Sequence, residues 1–380
     1  MRELKDSDGQ LLDEALVLRF DGPASSTGED LVELHCHGGR AVVDAVLGAL
    51  AAIAGLRVAH PGEFTRRAFD NERIDLTEAE GLADLIEAET ESQRRSALLM
   101  AEGGLSRQIE AWRQRLLELS ARAEVAIDYV EDDAVDGDPQ LARDLDALAR
   151  ELGAWLSRPR AEPLKDGLRI VIAGPPNAGK SSLLNAIVGQ ERAIVTAVAG
   201  TTRDHIDVPL ALSGVPVRLT DTAGLRESLD DAERIGVDRA RSLIDVADVL
   251  LWLGEPDEAP EHPRLLRIHA RCDLPERRSA PTGSIAVSAK NGTGVSDVIA
   301  AIVEATVGLL PAGNQLALNR RQAECLAEAR DSLVEAKATE DPVLVAESLR
   351  STRAAFDRLT GRAGVEDFLD ALFARFCLGK

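Results

Sequence analysis

A chain of 380 residues is too long for one ordinary hydrophobic core, so two or three domains are expected. Its 44 Lys and Arg against 65 Asp and Glu give a net charge of −21, which disfavours nucleic-acid binding except through a local basic patch or a partner protein. Four scattered cysteines without a CxxC pair, no run of about 18 uncharged apolar residues and no signal-peptide pattern predict a cytoplasmic chain without disulfides or a membrane span.

Strand-like and helix-like patterns are mixed over residues 11–60 and predict a small α/β domain at residues 1–71. Its expected elements are strands at Ala15–Phe20 and Leu31–His35, a turn at Gly38-Gly39 and a helix at Ala41–Ala54. The run His35-Cys36-His37 resembles a metal-binding cluster. Alternation along a strand places the two histidines on one face without the cysteine, however, which disfavours a metal site.

Apolar residues recur at helical spacing from Leu76 onward and predict the first part of a helical domain over residues 72–166. The spacing of Thr77 and Glu80 predicts a capping box, and Gly103-Gly104 predicts a break between antiparallel helices. The apolar positions are Leu82, Leu85, Ile86, Ala97, Leu98, Leu105, Ile109, Leu116 and Leu119.

An acidic stretch, Glu131–Asp138, interrupts this helical pattern. A solvated loop or helix end is favoured over a metal site, because the EF-hand spacing with its closing Glu is absent. The helical pattern resumes over Leu141–Leu156 and ends before Pro159 and Pro163.

A strand pattern at Leu168–Ala173 opens a region, residues 167–307, in which strands and helices alternate. The further strands are predicted at Val217–Thr220, Val249–Leu253, Leu265–His269 and Ile285–Ser288. This alternation predicts a doubly wound α/β domain. Residues 308–380 are predicted to be helical again, with segments at Leu316–Ala336, Pro342–Thr360 and Val365–Phe376. Helical regions on both sides predict that the α/β domain is inserted into a helical one.

Residues 174–181, Gly-Pro-Pro-Asn-Ala-Gly-Lys-Ser, match the phosphate-binding pattern G-x-x-x-x-G-K-[ST] between an apolar strand and a predicted helix at Ser182–Val188. The glycines let backbone N–H groups curl around phosphate oxygens, Lys180 brings a positive charge to the β and γ phosphates, and the Ser181 hydroxyl suits Mg²⁺. A chance match in a glycine-rich turn is the alternative, and the flanking strand and helix disfavour it.

Three shorter elements follow in the order typical of a translation-factor-type GTPase. Asp221-Thr222-Ala223-Gly224 follows a strand, so its Asp can reach Mg²⁺ through water and its last N–H can sense a γ-phosphate. Thr202, in the run Gly200–Asp204, is a candidate second Mg²⁺ ligand. Ser288-Ala289-Lys290 ends a later strand, where a guanine-contacting loop is expected. Each element alone is weak evidence, whereas the ordered set predicts GTP hydrolysis.

Two positions depart from that pattern. Leu225 stands where Ras-like enzymes carry a water-orienting Gln, and a leucine cannot orient water by hydrogen bonding. The base-reading N-K-x-D element is Ala270-Arg271-Cys272-Asp273 here. Asp273 can still accept hydrogen bonds from guanine, while Ala270 lacks the Asn amide and Arg271 replaces Lys as a stacking cover.

Several runs resemble the MnmE (TrmE) family of tRNA-modification GTPases. They are Asn177–Asn185, Gly200–Asp204, Asp221–Glu227, Glu233–Gly236 and the highly specific C-terminal Phe376–Lys380, together with Arg19–Gly39 and Pro61–Phe64 near the N-terminus. The resemblance extends over almost the whole chain. It implies a P-loop G domain inserted into a helical domain, preceded by a small tetrahydrofolate-binding α/β domain.

The resemblance also implies a function. Family members hydrolyse GTP with Mg²⁺ and K⁺, and act as homodimers with an MnmG/GidA-type flavin-dependent protein in a heterotetramer. Together they form the carboxymethylaminomethyl group at C5 of the wobble uridine of certain tRNAs. A tetrahydrofolate derivative, in its 5-formyl or 5,10-methylene form, supplies the one-carbon unit.

The site residues implied by the resemblance fall into four groups, of which the folate-contacting residues are given last. Lys180 and Glu233 are the catalytic pair, with Glu233 matching a Glu that orients the attacking water through a second water; an exposed helix Glu is the alternative. The metal ligands are Ser181 and Thr202 for Mg²⁺, and Asn177, Thr196, Val198 and Thr201 for K⁺. The nucleotide-binding residues are Asn177, Ala178, Gly179, Lys180, Ser181, Ser182, Thr196, Ala197, Val198, Ala199, Gly200, Thr201, Thr202, Asp221, Thr222, Ala223, Gly224, Asp273, Ser288, Ala289 and Lys290.

Glu33, Arg73 and Lys380 match folate-contacting positions of the family, with Arg73 standing where Lys is usual. Cys377 matches a reactive thiol by analogy, and a buried terminal cysteine is an equal alternative. Family members begin with a strand and a Gly/Arg-rich stretch that carries another folate-contacting Arg. The resemblance implies that the present sequence lacks this segment.

Two other functions remain open at this stage. One is a ribosome-assembly GTPase of the Era/Der type, which is disfavoured because Gly361–Gly364 lacks the flanking strands of a KH-like module. The other is a weakly hydrolysing nucleotide-binding scaffold, which Leu225 and Ala270 favour and Lys180 opposes.

Overall fold

A computed structural model describes residues 1–128, 139–190, 206–222, 241–313, 315–363 and 366–376. The chain forms two compact units: residues 1–86, 100–149 and 328–380 make the first, and residues 87–99 and 150–327 make the second. The second unit thus interrupts the first along the sequence. This confirms the predicted α/β and α multidomain fold with an inserted doubly wound domain, while the four domain boundaries stay predictions.

The N-terminal sheet has three antiparallel strands, β1 (Arg2–Lys5), β2 (Leu11–Phe20) and β3 (Leu31–His35), in the order β1-β2-β3. Only β3 has its predicted bounds. Strand β2 begins four residues before the predicted Ala15, because Leu11–Ala15 pair with β1. The sequence analysis missed β1, whose residues Arg-Glu-Leu-Lys are almost all exposed and show no apolar alternation.

The helices of the described residues are, in chain order, α1 (Arg40–Ala51), α2 (Glu63–Asp70), α3 (Leu76–Glu87), α4 (Glu91–Ala101), α5 (Gly104–Asp128), α6 (Pro139–Leu156), α7 (Glu162–Asp166), α8 (Lys180–Gln190), α9 (Val295–Ala305), α10 (Arg320–Ala338), α11 (Pro342–Thr360) and α12 (Glu366–Phe373). The predicted break at Gly103-Gly104 falls between α4 and α5. Helix α2 was not predicted, and the acidic stretch Glu131–Asp138 lies outside the described residues. No helix among the described residues is both long enough and apolar enough to cross a membrane.

Helices α5 and α11 pack against each other through one apolar stripe. Leu105, Ile109 and Leu116 of α5 are buried at the spacing of three and four residues that places them on one helix face. Trp112, on the same face, stacks on Phe356 of α11 with ring centroids 6.1 Å apart. Both aromatic side chains are fully buried.

The start of α3 is capped by residues other than those predicted. Asp75 Oδ1 accepts the Glu78 N–H at 3.0 Å, and Glu78 Oε2 accepts the Asp75 N–H at 2.7 Å. This reciprocal pair is a capping box two residues before the expected one, so the predicted Thr77–Glu80 box is wrong. Thr77 and Glu80 lie inside the helix and are buried.

A second capping box marks the start of α10 and shows that its predicted start was wrong. Asn319 Oδ1 accepts the Gln322 N–H at 2.9 Å, and Gln322 Oε1 accepts the Asn319 N–H at 3.0 Å. The helix therefore begins at Arg320, four residues after the predicted Leu316.

Replacing Asp75 is expected to destabilise the first unit. Asp75→Ala removes the N-cap acceptor and leaves the Glu78 N–H without its partner, which costs about 1 kcal/mol of the free energy of unfolding. Chemical denaturation followed by circular dichroism measures this change. Asp70→Ala, at the exposed end of α2, is the matched control and is expected to unfold like the wild type. Equal stability of the two variants would contradict the assigned cap.

The second unit holds a six-stranded sheet in the order β5-β6-β4-β7-β8-β9. Its strands are β4 (Leu168–Ala173), β5 (Ile206–Leu212), β6 (Val215–Asp221), β7 (Val249–Trp252), β8 (Leu265–Ala270) and β9 (Ser284–Val287). The pairs β6-β4, β4-β7, β7-β8 and β8-β9 are parallel. The sheet therefore places the carboxyl ends of β4, β6, β7, β8 and β9 at one edge, where ligands bind in such folds.

Strand β5 is antiparallel to β6 and was not predicted. The two strands join through Ser213-Gly214, and both residues have positive φ, 49° and 86°. Two central residues with positive φ are typical of a type I′ hairpin turn. The strand extends the sheet at its edge.

Apolar side chains cover both faces of this sheet. On one side α8 and α9 bury Leu183, Ile187, Val298 and Ile302 against the strands. On the other side Leu243 and Ile244 pack on Val171, Ala173 and Leu250. Because both faces are covered, the central strands are almost continuously apolar, and for this reason they were readily predicted.

Candidate nucleotide-binding site

The phosphate-loop motif joins the carboxyl end of β4 to the first residue of α8. Gly174 has a φ of 148° and Gly179 a φ of 101°, conformations that favour glycine. A Cβ at Gly174 would lie 3.2 Å from the Leu253 backbone carbon, so a larger residue would also be crowded there. Asn177 holds a φ of 59°. The resulting turn places the loop at the N-terminus of α8, which favours anions.

Lys180 is buried beneath this loop. Its Nζ donates to the carbonyl oxygens of Gly174 and Pro175, each at 2.9 Å. Only 6% of the residue is exposed. The ammonium group therefore lies within the curl of the loop, where a phosphate oxygen would meet both it and the helix N-terminus.

Two oxygen-bearing side chains meet beside the lysine. Ser181 Oγ donates to Asp221 Oδ2 at 2.5 Å, and Asp221, at the end of β6, is 1% exposed. A hydroxyl and a buried carboxylate so close together are the hard oxygen donors that Mg²⁺ prefers. The residues present thus fit a magnesium ion. Thr222 donates to Ile172 O at 3.0 Å and fixes the end of β6 against β4.

A pocket of about 630 Å³ extends from the phosphate loop to the carboxyl ends of β8 and β9. Asp273 lies in its wall and accepts a hydrogen bond from Ser288 Oγ at 2.7 Å. This bond, aided by the charges of Lys290 and Arg271, lowers the pKa of Asp273 below its usual value. The carboxylate is therefore ionised at neutral pH and can accept hydrogen bonds from the N1–H and amino group of guanine.

The pocket brings together residues that are far apart in the sequence. It is lined by Gly179, Ser182, Leu183, Asn185, Ala186, Ala270, Arg271, Asp273, Leu274, Val287, Ala289 and Lys290. Gly179 of the predicted phosphate loop and the base-reading residues Arg271 and Asp273 thus share one pocket. Ser288 is fully buried behind Asp273, and Ala178 packs on the sheet core.

Many predicted site residues lie outside the described residues. They are Thr196, Ala197, Val198, Ala199, Gly200, Thr201, Thr202, Ala223, Gly224, Glu233, Cys377 and Lys380. Of the proposed K⁺ ligands, only Asn177 is described, and its side chain is exposed. The K⁺ site, the second Mg²⁺ ligand and the catalytic Glu233 therefore stay predictions.

Two of the predicted folate-contacting residues are described, both in the first unit. Glu33 lies on β3, where its Oε2 contacts His35 Nε2 at 3.0 Å. Arg73 follows α2 and is exposed. His37 Nδ1 contacts Asp13 Oδ1 at 2.8 Å. Within the described residues, no group of three or more His, Cys, Asp or Glu side chains is arranged to hold a metal ion.

Sequence reasoning missed Leu183, Asn185, Ala186, Leu274 and Val287 among the residues that line the pocket. Asn185 and Ala186 follow Ser182 by three and four residues on α8 and so lie on its side of the helix. Helical periodicity measured from Ser182 could have identified both. Leu274 lies on a loop without periodicity, and no pattern pointed to it.

The parallel sheet, the glycine loop closed over a buried lysine and the pocket that contains Asp273 together define a P-loop nucleotide-binding protein. Sequence profiles identify the family: the MnmE helical domain matches residues 76–377, and the GTP-binding protein TrmE N-terminus matches residues 1–73. The chain belongs to the MnmE (TrmE) family.

Curated relatives agree with this assignment. A tRNA modification GTPase MnmE from Rhizorhabdus wittichii is 53% identical over 100% of this chain and 86% of its own length. Its counterparts from Sphingopyxis alaskensis and Zymomonas mobilis are 53% and 50% identical, again over 100% of this chain. Among solved structures, the G domain of the T. maritima FeoB iron transporter covers 37% of this chain at 21% identity and a TM-score of 0.27.

Proposed function

We propose that this chain binds and hydrolyses GTP and uses hydrolysis in tRNA modification. The observation that carries the proposal is the single pocket that joins the phosphate loop to Asp273. Gly179 and Ser182 lie at one part of its wall and Lys290 at another, so a nucleotide placed with its phosphates at Lys180 directs its base toward Asp273. The similarity to named tRNA modification GTPases supports the same function.

Different described residues bind the phosphates, the metal ion and the base of GTP. Lys180 and the backbone N–H groups at the start of α8 hold the phosphates and neutralise charge on the transferred group. Ser181 and Asp221 would hold Mg²⁺, which supplies further neutralisation of the phosphate charge when bound. Asp273, held by Ser288, accepts from the guanine edge, and Arg271 lines the pocket that covers the base.

The water-activating step is assigned to Glu233, because Leu225 has no hydrogen-bonding group. Asn177, with oxygens from Thr196, Val198 and Thr201, would hold a K⁺ ion beside the phosphates. A cation there neutralises the same charge that an arginine finger neutralises in other GTPases. Thr202 completes the Mg²⁺ ligands in this proposal.

The modification reaction requires partners. We infer a cytoplasmic homodimer that acts with an MnmG/GidA-type flavin-dependent protein on the wobble uridine of certain tRNAs and adds a carboxymethylaminomethyl group at C5. Glu33, Arg73 and Lys380 would contact the tetrahydrofolate derivative that supplies one carbon. The net charge of −21 favours tRNA delivery through a partner over direct binding across the surface.

Glu233→Ala is expected to leave GTP binding intact and to slow hydrolysis about 100-fold, because a positioned carboxylate contributes at least this much to water activation. Modification of the wobble uridine, measured by mass spectrometry of tRNA incubated with both proteins, folate and GTP, is expected to fall with it. Glu304→Ala, exposed on α9, is the control. Equal loss of GTP binding and hydrolysis in Glu233→Ala would exclude a catalytic role for Glu233. Unchanged tRNA modification despite slower hydrolysis would contradict the proposed use of GTP hydrolysis in modification.

A further inference from the structure

The base-reading loop contains a strained residue that its surroundings hold in place. Arg271, between the end of β8 and Asp273, has a φ of 63°. A bulky residue other than glycine occupies this left-handed region only where neighbouring contacts impose it, at a cost of about 1–3 kcal/mol. The contacts that impose the conformation therefore determine where Asp273 points.

Two side chains tie the ends of this loop together. Arg277, in the short turn Pro275–Arg277, donates from Nε to the carbonyl oxygen of Ala270 at 2.9 Å. His269 Nε2 lies 2.9 Å from the Arg277 carbonyl oxygen, and Arg277 Nη2 lies 3.4 Å from His269 Nδ1. Because a guanidinium can only donate, His269 accepts at Nδ1 and donates from Nε2. Together these contacts of Arg277 join the two ends of the loop, residues 269–277.

Backbone hydrogen bonds fix the residues between the two ends of the loop. Leu274 N donates to Arg271 O at 3.0 Å, and Cys272 N donates to Val287 O on β9 at 3.2 Å. The side chain of Ala270, in contrast, offers no polar group, although this position carries Asn in the N-K-x-D element. The guanidinium of Arg277 instead holds the Ala270 carbonyl.

We propose that Arg277, together with His269, is the positioning residue for guanine specificity in this chain. It fixes the loop so that Asp273 faces the base, at a position where the side chain of Ala270 supplies no polar group. Arg277 acts through the backbone rather than through the charge of Asp273, whose pKa is lowered by Ser288, Lys290 and Arg271. This inference rests on the proposed guanine-binding role of Asp273.

The test compares GDP with inosine diphosphate (IDP), which lacks the 2-amino group that donates to Asp273. In Arg277→Ala, the dissociation constant for GDP is expected to rise about tenfold, as for one lost hydrogen bond to a charged group, and that for IDP is expected to rise less. The preference for GDP over IDP therefore narrows. Arg278→Ala, next to it and exposed, is the matched control and is expected to keep the wild-type preference.

A second variant tests whether an amide at position 270 can take the place of the Arg277 guanidinium. In the Ala270→Asn/Arg277→Ala double variant, the Asn amide is expected to restore most of the preference for GDP. Arg277→Lys serves the same comparison if Arg277→Ala does not fold. Because lysine keeps the charge and one donor group, the expected loss of GDP affinity is intermediate between those of the wild type and Arg277→Ala.

An equal loss of GDP and IDP affinity in the Arg277 variants, or no loss at all, would overturn the positioning role, as would a double variant that behaves like Arg277→Ala. A wild-type chain without preference for GDP over IDP would instead contradict the proposed guanine site. The wild-type measurement therefore separates the two failures.

Discussion

Lys180→Ala is expected to lower the affinity for GTP at least 100-fold. Lys180 is 6% exposed, and its ammonium group lies within the phosphate loop, bonded to the carbonyl oxygens of Gly174 and Pro175 at 2.9 Å. Its removal takes away charge-assisted hydrogen bonds to the phosphates, worth about 1.5–3 kcal/mol each, and leaves the loop carbonyls without this donor. Equilibrium binding of a fluorescent GTP analogue measures the loss.

Lys165→Ala is the control for this experiment. Lys165 belongs to the same unit, at the end of α7, but its Nζ pairs with Glu87 at 3.7 Å on the surface. The variant changes net charge equally and is expected to bind GTP like the wild type. Binding by Lys180→Ala within threefold of the wild type would show that the phosphates do not bind at this loop.

Asp273→Asn is expected to reverse the base preference from guanine to xanthine. The Asn side chain has the shape of Asp, so its Oδ1 can still accept from Ser288 and the pocket is preserved. Its amide nitrogen, however, faces the 2-amino group of guanine with donor against donor. The expected result is a loss of GTP affinity of about 100-fold, because buried polar groups are left unpaired.

Xanthine carries a carbonyl in place of the 2-amino group and therefore accepts from the new amide. Asp273→Asn is expected to bind xanthosine triphosphate more tightly than the wild type does, which a simple loss of structure cannot produce. Competition binding with both nucleotides measures the exchange. Asp297→Asn, exposed on α9, serves as the control. An Asp273→Asn variant that keeps its preference for GTP would exclude Asp273 as the base-reading group.

Strong local patterns made part of the fold predictable from the sequence. Strand β4 was predicted with its observed bounds because both of its faces are covered and its residues are almost all apolar. The edge strands β1 and β5 were missed, since the mostly exposed residues of β1 show no apolar alternation and the hairpin signal at Ser213-Gly214 was not recognised. The α3 cap was misplaced because Asp75 and Thr77 both suit that position by residue type.

The candidate site was likewise predictable only in part. The order of the motifs placed Lys180, Asp221 and Asp273 in segments that follow strands, and the structure shows Lys180 in the loop and Asp273 in one pocket with Gly179. The contacts of Arg277 with Ala270 and His269 were not predictable. They join side chains to backbone within an irregular loop, and such contacts leave no periodic signal in a sequence.

The most direct test of GTP hydrolysis at this site is turnover by the purified chain in KCl and in NaCl at equal ionic strength, with ATP as a competitor. The proposed function predicts faster hydrolysis in K⁺, because the cation held by Asn177 and its neighbours neutralises charge in the transition state, and no inhibition by ATP, because Asp273 selects guanine. Slow turnover that is indifferent to the cation would contradict the account and favour a nucleotide-binding scaffold. Inhibition by ATP would show that Asp273, without an Asn at position 270, does not select the base.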